Sequence, residues 1–163
     1  MALSLSARLG SERIKSCFAL YPAAHLTHPE RLDTVMGCVS DKFRSGVVIP
    51  HWCMKLFINA YTTPGTDMND PRLSPMFYDA SKFPKYVAVA CGDADTLYRM
   101  SFDLMKKISG SASGTNVDGS RKFICVPNEA HEFNTFGRTR ASQEERDRVE
   151  GEAINMIRAS WRQ

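Results

Sequence analysis

The stretch Tyr86-Val87-Ala88-Val89-Ala90-Cys91-Gly92-Asp93-Ala94-Asp95-Thr96-Leu97-Tyr98-Arg99-Met100-Ser101-Phe102-Asp103-Leu104-Met105 decides the fold. An uncharged run rich in Val and Ala ends at Gly92, carboxylates follow at once, and apolar residues then recur at helical spacing. That order reads as a strand buried on both faces, a tight turn and a crossover helix, the unit from which parallel sheets are built. Ligands and reacting groups of open α/β sheets collect at the carboxyl ends of the strands, which is where Asp93 and Asp95 fall. Farther on, Lys122-Phe123-Ile124-Cys125-Val126-Pro127 repeats the plan as a strand, with His131 on the loop behind it. Two successive strands thereby bring a carboxylate and an imidazole to one edge.

Working outward, Ala2 to Leu9 has helical character, and Gly10 sits where a C-cap would. No N-cap residue precedes its first apolar position, so further polypeptide is expected ahead of Met1. Ile14 to Tyr21 reads as a strand stopped by Pro22. Residues 23–63 form an irregular, aromatic-rich, lid-like insertion with one helix, His51 to Tyr61, indicated by Pro50 and by the spacing of Trp52, Leu56, Phe57 and Tyr61. Such an insertion either covers a site or packs its aromatics on the sheet. Pro64 to Pro75 and Ser109 to Ser120 read as loops, the second a flexible surface connection. Ser142 and Glu145 have capping-box spacing ahead of a closing helix whose apolar face is Val149, Ala153, Ile154, Ile157 and Trp161, expected to lie on the sheet. The expected fold class is α/β: one domain over residues 1–163, three parallel strands near 14–21, 86–91 and 123–127 joined by right-handed crossovers, and helices on both faces.

Composition sets limits. With 43% hydrophobic and 24% charged residues among 163, the chain has the profile of an ordinary globular domain. A net charge of +3 spread along the sequence argues against a nucleic-acid partner. No segment approaches membrane-spanning length, and Met1 to Leu9 lacks the features of a signal peptide, so the expected location is cytoplasmic. Five scattered cysteines with no Cys-x-x-Cys pair read as reduced, structural thiols.

For chemistry, Asp95 and His131 are the favoured pair, with Asp93 competing for the carboxylate role. A carboxylate that accepts from one imidazole nitrogen leaves the other free to take a proton from a nucleophile. A serine nucleophile of this kind needs a Gly-x-Ser-x-Gly elbow, and the sequence has none; Gly110-Ser111-Ala112-Ser113-Gly114 places Ala at the centre. A His-Gly-Gly stretch able to supply oxyanion donors is also lacking. Cys91 and Cys125 are poorly placed as nucleophiles, and His25 with His28 lacks further ligands at zinc-like spacing. No cofactor or metal is implied.

Asp70-Pro71-Arg72-Leu73-Ser74-Pro75, then Gly92-Asp93-Ala94-Asp95-Thr96-Leu97, then His131-Glu132-Phe133 resemble, in order and spacing, the C-terminal half of hormone-sensitive-lipase-like α/β-hydrolases, which are carboxylesterases and lipases. The likeness covers nearly the whole chain. It implies a partial α/β-hydrolase fold in which Asp95 resembles the triad acid, His131 the triad base, and the segment from His25 to Tyr61 part of a lid and acyl pocket. Asp93 falls at a variable place of the motif. The family's acidic residues shortly after the triad acid are Arg99 and Met100 here, and its Gly-Asp-Ser-Ala-Gly-Gly and His-Gly-Gly-Gly motifs are absent. The resemblance therefore implies a small-molecule ester as substrate once an N-terminal half completes the site, and inactivity of the chain alone. The alternative is a non-catalytic binding protein on a hydrolase scaffold. Loss of the strand beside residues 14–21 would leave an apolar sheet edge open to self-association.

Overall fold

The computed structural model describes residues 1–162. Three parallel strands, β1 (Ser16–Leu20), β2 (Tyr86–Gly92) and β3 (Arg121–Val126), form one sheet in the order β1-β2-β3. The register pairs Cys17 with Val87, and Val89 with Phe123. Helices α1 (Ala2–Leu9) and α3 (Tyr98–Ser109) lie on one face, while α5 (Arg140–Trp161) and the short α4 (Phe133–Phe136) lie on the other. Helix α2 (His51–Tyr61) belongs to the insertion between β1 and β2.

The central strand explains the order of the layers. Val87 to Cys91 have no exposed surface, because alternate side chains feed two separate cores. Val87 and Val89 pack with Leu104, Met105 and Ile108 of α3 and with Leu3 and Ala7 of α1. Ala88 and Ala90 pack with Ile124, Val126, Phe133, Val149 and Met156. Fully burying each Val or Leu contributes about 1.5–3 kcal/mol, so these two layers hold the strand ends in place. A third cluster, Leu32, Met36, Met54, Ile58, Leu97 and Met100, seats the insertion on the first turns of α3.

The elements match the expected ones with shifted ends: β1 starts at Ser16 rather than Ile14, and β3 at Arg121 rather than Phe123. One open alternative is resolved and one helix face requires correction. In α2, Trp52, Leu56, Phe57 and Tyr61 are exposed, and Met54 with Ile58 are the buried residues. These two, four apart, point into the third cluster and not onto the sheet. In α5 the N-cap is Thr139, whose side chain accepts from the Ser142 N–H at 3.1 Å. Ser142 is therefore inside the helix, and the expected box with Glu145 does not form. Its hydroxyl instead donates to buried Glu129 at 2.7 Å, and the helix turns Ser142, Val149 and Met156 inward at seven-residue spacing. Ile154, Ile157 and Trp161 then lie roughly 80–140° round the helix from Val149 and are exposed.

The Asp70-Pro71-Arg72-Leu73-Ser74-Pro75 motif is a structural anchor. Asp70 accepts from Arg72 in a surface ion pair that holds its carboxyl below the usual range. Buried Ser74 accepts from the Leu26 N–H at 3.0 Å and donates to the Met68 carbonyl at 2.9 Å. This bond fixes the start of the insertion to its far side.

Candidate active site

At the end of β2 the chain has no room for a side chain. A Cβ on Gly92 would stand 2.0 Å from the carbonyl oxygen of Glu129, so the loop leaving β3 can cross directly over the loop leaving β2. The β2 loop then closes on itself. The Asp95 N–H donates to the Gly92 carbonyl at 3.1 Å, and the Leu97 N–H donates back to Asp95 Oδ1 at 2.8 Å. This is the Asx geometry that leads a turn into a helix. The Asp95 carbonyl next accepts from the Tyr98 N–H at 3.0 Å as α3 starts.

Asp95 is fully buried, and its Oδ2 lies 2.9 Å from Nδ1 of His131. Its neighbour Asp93 serves another purpose: Oδ1 accepts from the Asn128 N–H at 2.8 Å, tying down the loop after β3. Cys91 sits beneath the pair. Burial pushes its thiol well up, and the Asp95 carboxylate adds to that, while the thiol of Cys125 is also raised by desolvation, so neither has the character of a thiolate nucleophile.

His131 is held by its backbone as much as by its ring. Its N–H donates to the Val47 carbonyl at 3.0 Å, and its carbonyl accepts from the Val47 N–H at 2.8 Å. The imidazole, with 15% of its side chain exposed, meets the Tyr21 ring edge-on at 4.3 Å between centroids. Tyr21 has φ +35° and donates its hydroxyl to Asn134 Oδ1 at 2.8 Å, and burial raises its phenol. Phe133, two residues beyond His131, is fully buried and anchors the loop in the core below. Among the described residues, Nε2 of His131 has no hydrogen-bond partner.

His131 stands in the wall of a cavity of about 620 Å³ whose other walls include Leu26, Ile49, Met54, Phe57 and Leu97. The insertion thus both borders the site and contributes its wall; Phe57 and Tyr61, for which the sequence left open covering a site or packing on the sheet, line this space. The turn after Asp95 is supported by Gly37, whose N–H donates to the Thr96 carbonyl at 2.8 Å and whose carbonyl accepts from the Arg99 N–H at 3.0 Å. Met100 is buried in the third cluster. Arg99 and Met100 therefore stand where acidic residues would, without leaving the turn unsupported.

Sequence reasoning missed Glu129, Arg44, Ser45 and Tyr21. Glu129 is fully buried and accepts from Arg44 Nε at 3.1 Å and from the hydroxyls of Ser45 and Ser142. A lone Glu between two motifs carries no local signal of burial. His25 and His28 do not combine into a metal site. His25 meets Phe77 edge-on at 5.0 Å and burial lowers its ring. Among the described residues no group of three or more His, Cys, Asp or Glu side chains could hold a metal ion. No described helix is long and apolar enough to cross a membrane.

A carboxylate on Nδ1 can fix the imidazole tautomer and orientation and leave Nε2 free to accept a proton. Comparison with known proteins bears on this arrangement. Curated protein sequences yield no match. Among solved structures the chain is similar to brefeldin A esterase, described as a bacterial homologue of human hormone sensitive lipase, at 20% identity and TM-score 0.62 over 96% of this chain and 45% of that one. It is also similar to esterase E25, at 16% identity and TM-score 0.61 over 95% of this chain and 44% of that one. A third likeness, at 18% identity and TM-score 0.53, covers 81% of this chain and 39% of a mutant of LAE6, an α/β-hydrolase enzyme from the metagenome of Lake Arreo, Spain. At such identities the likeness shows the fold, and the chain spans less than half the length of each. The family model of the alpha/beta hydrolase fold matches residues 1–135, most of the sequence, and the chain belongs to that family.

Proposed function

We propose that this chain carries the acid–base half of a carboxylic-ester hydrolase with a Ser-His-Asp triad. The observation that supports it is the 2.9 Å contact from buried Asp95 to His131 Nδ1, with the imidazole in the wall of an apolar cavity. In this reading Asp95 orients the ring and stabilises its protonated form. His131 Nε2 takes the proton from an attacking hydroxyl and gives it to the departing alcohol as the ester C–O bond breaks. A water then repeats the sequence on the acyl-enzyme, releasing the carboxylic acid. The nucleophile and the oxyanion donors come from polypeptide outside these 163 residues, and the apolar cavity takes the hydrocarbon part of the ester.

The assay is hydrolysis of p-nitrophenyl butyrate. The isolated chain is expected to show no turnover that depends on His131, because nucleophile and oxyanion donors carry most of the acceleration. Turnover abolished by His131→Ala in the isolated chain would overturn the reading. Joined to the portion of brefeldin A esterase that this chain does not cover, the chain is expected to hydrolyse the ester, with a loss of roughly 10³–10⁴-fold on His131→Ala. Retention of the ester by that active-site assembly without any cleavage would instead favour a binding protein on a hydrolase scaffold.

A further inference from the structure

Among the described residues, the acid–base reading leaves one buried carboxyl group without a task. Glu129 has no exposed surface, and every donor it accepts from belongs to a different segment or a distant residue. Arg44 Nε reaches Oε1 at 3.1 Å, Ser45 Oγ bonds to Oε2, and Ser142 Oγ at 2.7 Å completes the set from the first turn of α5. Ser142 is itself held as a donor by accepting from Thr139 Oγ1 at 2.8 Å. A buried carboxylate with three donors, one of them cationic, is satisfied only while all three segments stay together.

Those segments converge on the candidate pair. Residues 44–49 form a strap laid across it. The Arg44 N–H donates to the Asn128 carbonyl at 2.7 Å, the Ala130 N–H to the Ser45 carbonyl at 3.0 Å, and Val47 exchanges both backbone bonds with His131. At the far end of the strap the Ile49 carbonyl accepts from Thr96 Oγ1 at 3.1 Å, one residue beyond Asp95. Gly46 makes the approach possible: its φ is +91°, and a Cβ there would lie 2.4 Å from the His131 carbonyl oxygen. Glu129 also contributes its own carbonyl, which accepts from the Ala94 N–H at 3.1 Å on the acid's loop.

We propose that Glu129 is a positioning residue: by clamping Arg44, Ser45 and Ser142 it holds the 44–49 strap across the two loops and thereby sets the His131 imidazole against Asp95. The proposal rests on the acid–base reading of that pair, and it adds a mechanical link between the insertion and the base. Ile49, two residues beyond the His131 clasp, lines the apolar cavity, so the same strap joins the cavity wall to the imidazole.

The test uses the full chain with ¹⁵N-labelled imidazole. Nitrogen shifts report the ratio of Nδ1–H to Nε2–H tautomer of His131, and amide exchange reports the strap. Glu129→Gln keeps the shape but turns an amide N–H₂ toward donors. The expected result is a fall in the tautomer ratio of at least about threefold, with exchange of the Val47 and His131 amides faster by about tenfold or more and the β2 amides unchanged. A wild-type tautomer ratio in Glu129→Gln would overturn the proposal. If that variant does not fold, Arg44→Met, which removes the cation from Glu129 together with the guanidinium bond to the Pro127 carbonyl, must still lower the ratio; a wild-type ratio there overturns it equally. Asp95→Asn separates the two levels of argument. If Asp95→Asn leaves the tautomer as it is, the acid–base reading fails, whereas a change with Asp95→Asn and none with Glu129→Gln removes only the role given to Glu129.

Discussion

Two loops leave the same edge of the sheet, and they place their functional side chains differently. The loop after β2 forms its own turn, in which Asp95 bonds to Gly92 and Leu97 within a few residues and opens α3 directly, and bonds from Gly37, Val39 and Ser40 only add to it from outside. The loop after β3 is held from a distance, by the 44–49 strap, by Asp93 and by Ser142 at the start of α5. The carboxylate thus comes on a locally determined turn, and the imidazole comes on a segment whose position is decided by residues about 85 positions away along the chain. The acid side should therefore survive damage that displaces the base.

Substitutions along this divide sharpen the contrast. The largest effect is expected from Gly92→Ala, where the new methyl would overlap the Glu129 carbonyl oxygen at 2.0 Å. Neither loop can yield without breaking the Ala94–Glu129 and Asp93–Asn128 bonds, so a loss of about 4 kcal/mol or outright misfolding is expected in chemical denaturation. Gly46→Ala should cost about 2–3 kcal/mol through its left-handed backbone and its contact with the His131 carbonyl, and it should release His131 while the Leu97 amide stays protected. Thr139→Ala removes the cap of α5 and should cost about 1 kcal/mol by thermal melting. It also loosens Ser142 on Glu129. Ile157→Ser, on the exposed stripe of α5, should change stability by no more than about 0.5 kcal/mol. A larger loss there would mean that the stripe packs against something in solution.

What the sequence disclosed follows the same divide. The buried Val-Ala run, the turn and the apolar period of α3 are local, so β2, its loop and Asp95 were legible, as was the arrival of His131 at the same edge. The faces of α2 and α5 were not. Helical spacing of Trp52, Leu56, Phe57 and Tyr61 located the helix and left open whether these residues cover a site or pack on the sheet, and Met54 and Ile58 are the buried pair. In α5, Ile154, Ile157 and Trp161 are more apolar than Ser142, and periodicity alone prefers them. The helix turns inward the serine that Glu129 needs, because a buried carboxylate short of a donor costs more than an exposed isoleucine. That contest is between residues far apart in sequence, and no local pattern records it. Glu129 itself reads as an ordinary solvated charge until Arg44, Ser45 and Ser142 are placed around it.

The coupling of the two loops rests on the proton between Asp95 and His131. It is tested most directly by the ¹⁵N imidazole spectrum of His131 at neutral pH in the wild-type chain and in Asp95→Asn. With an acceptor-only carboxylate at 2.9 Å, the wild-type ring should carry its proton on Nδ1, and Asp95→Asn, which can offer an N–H to that nitrogen, should move the proton to Nε2. The same tautomer in both proteins would contradict it.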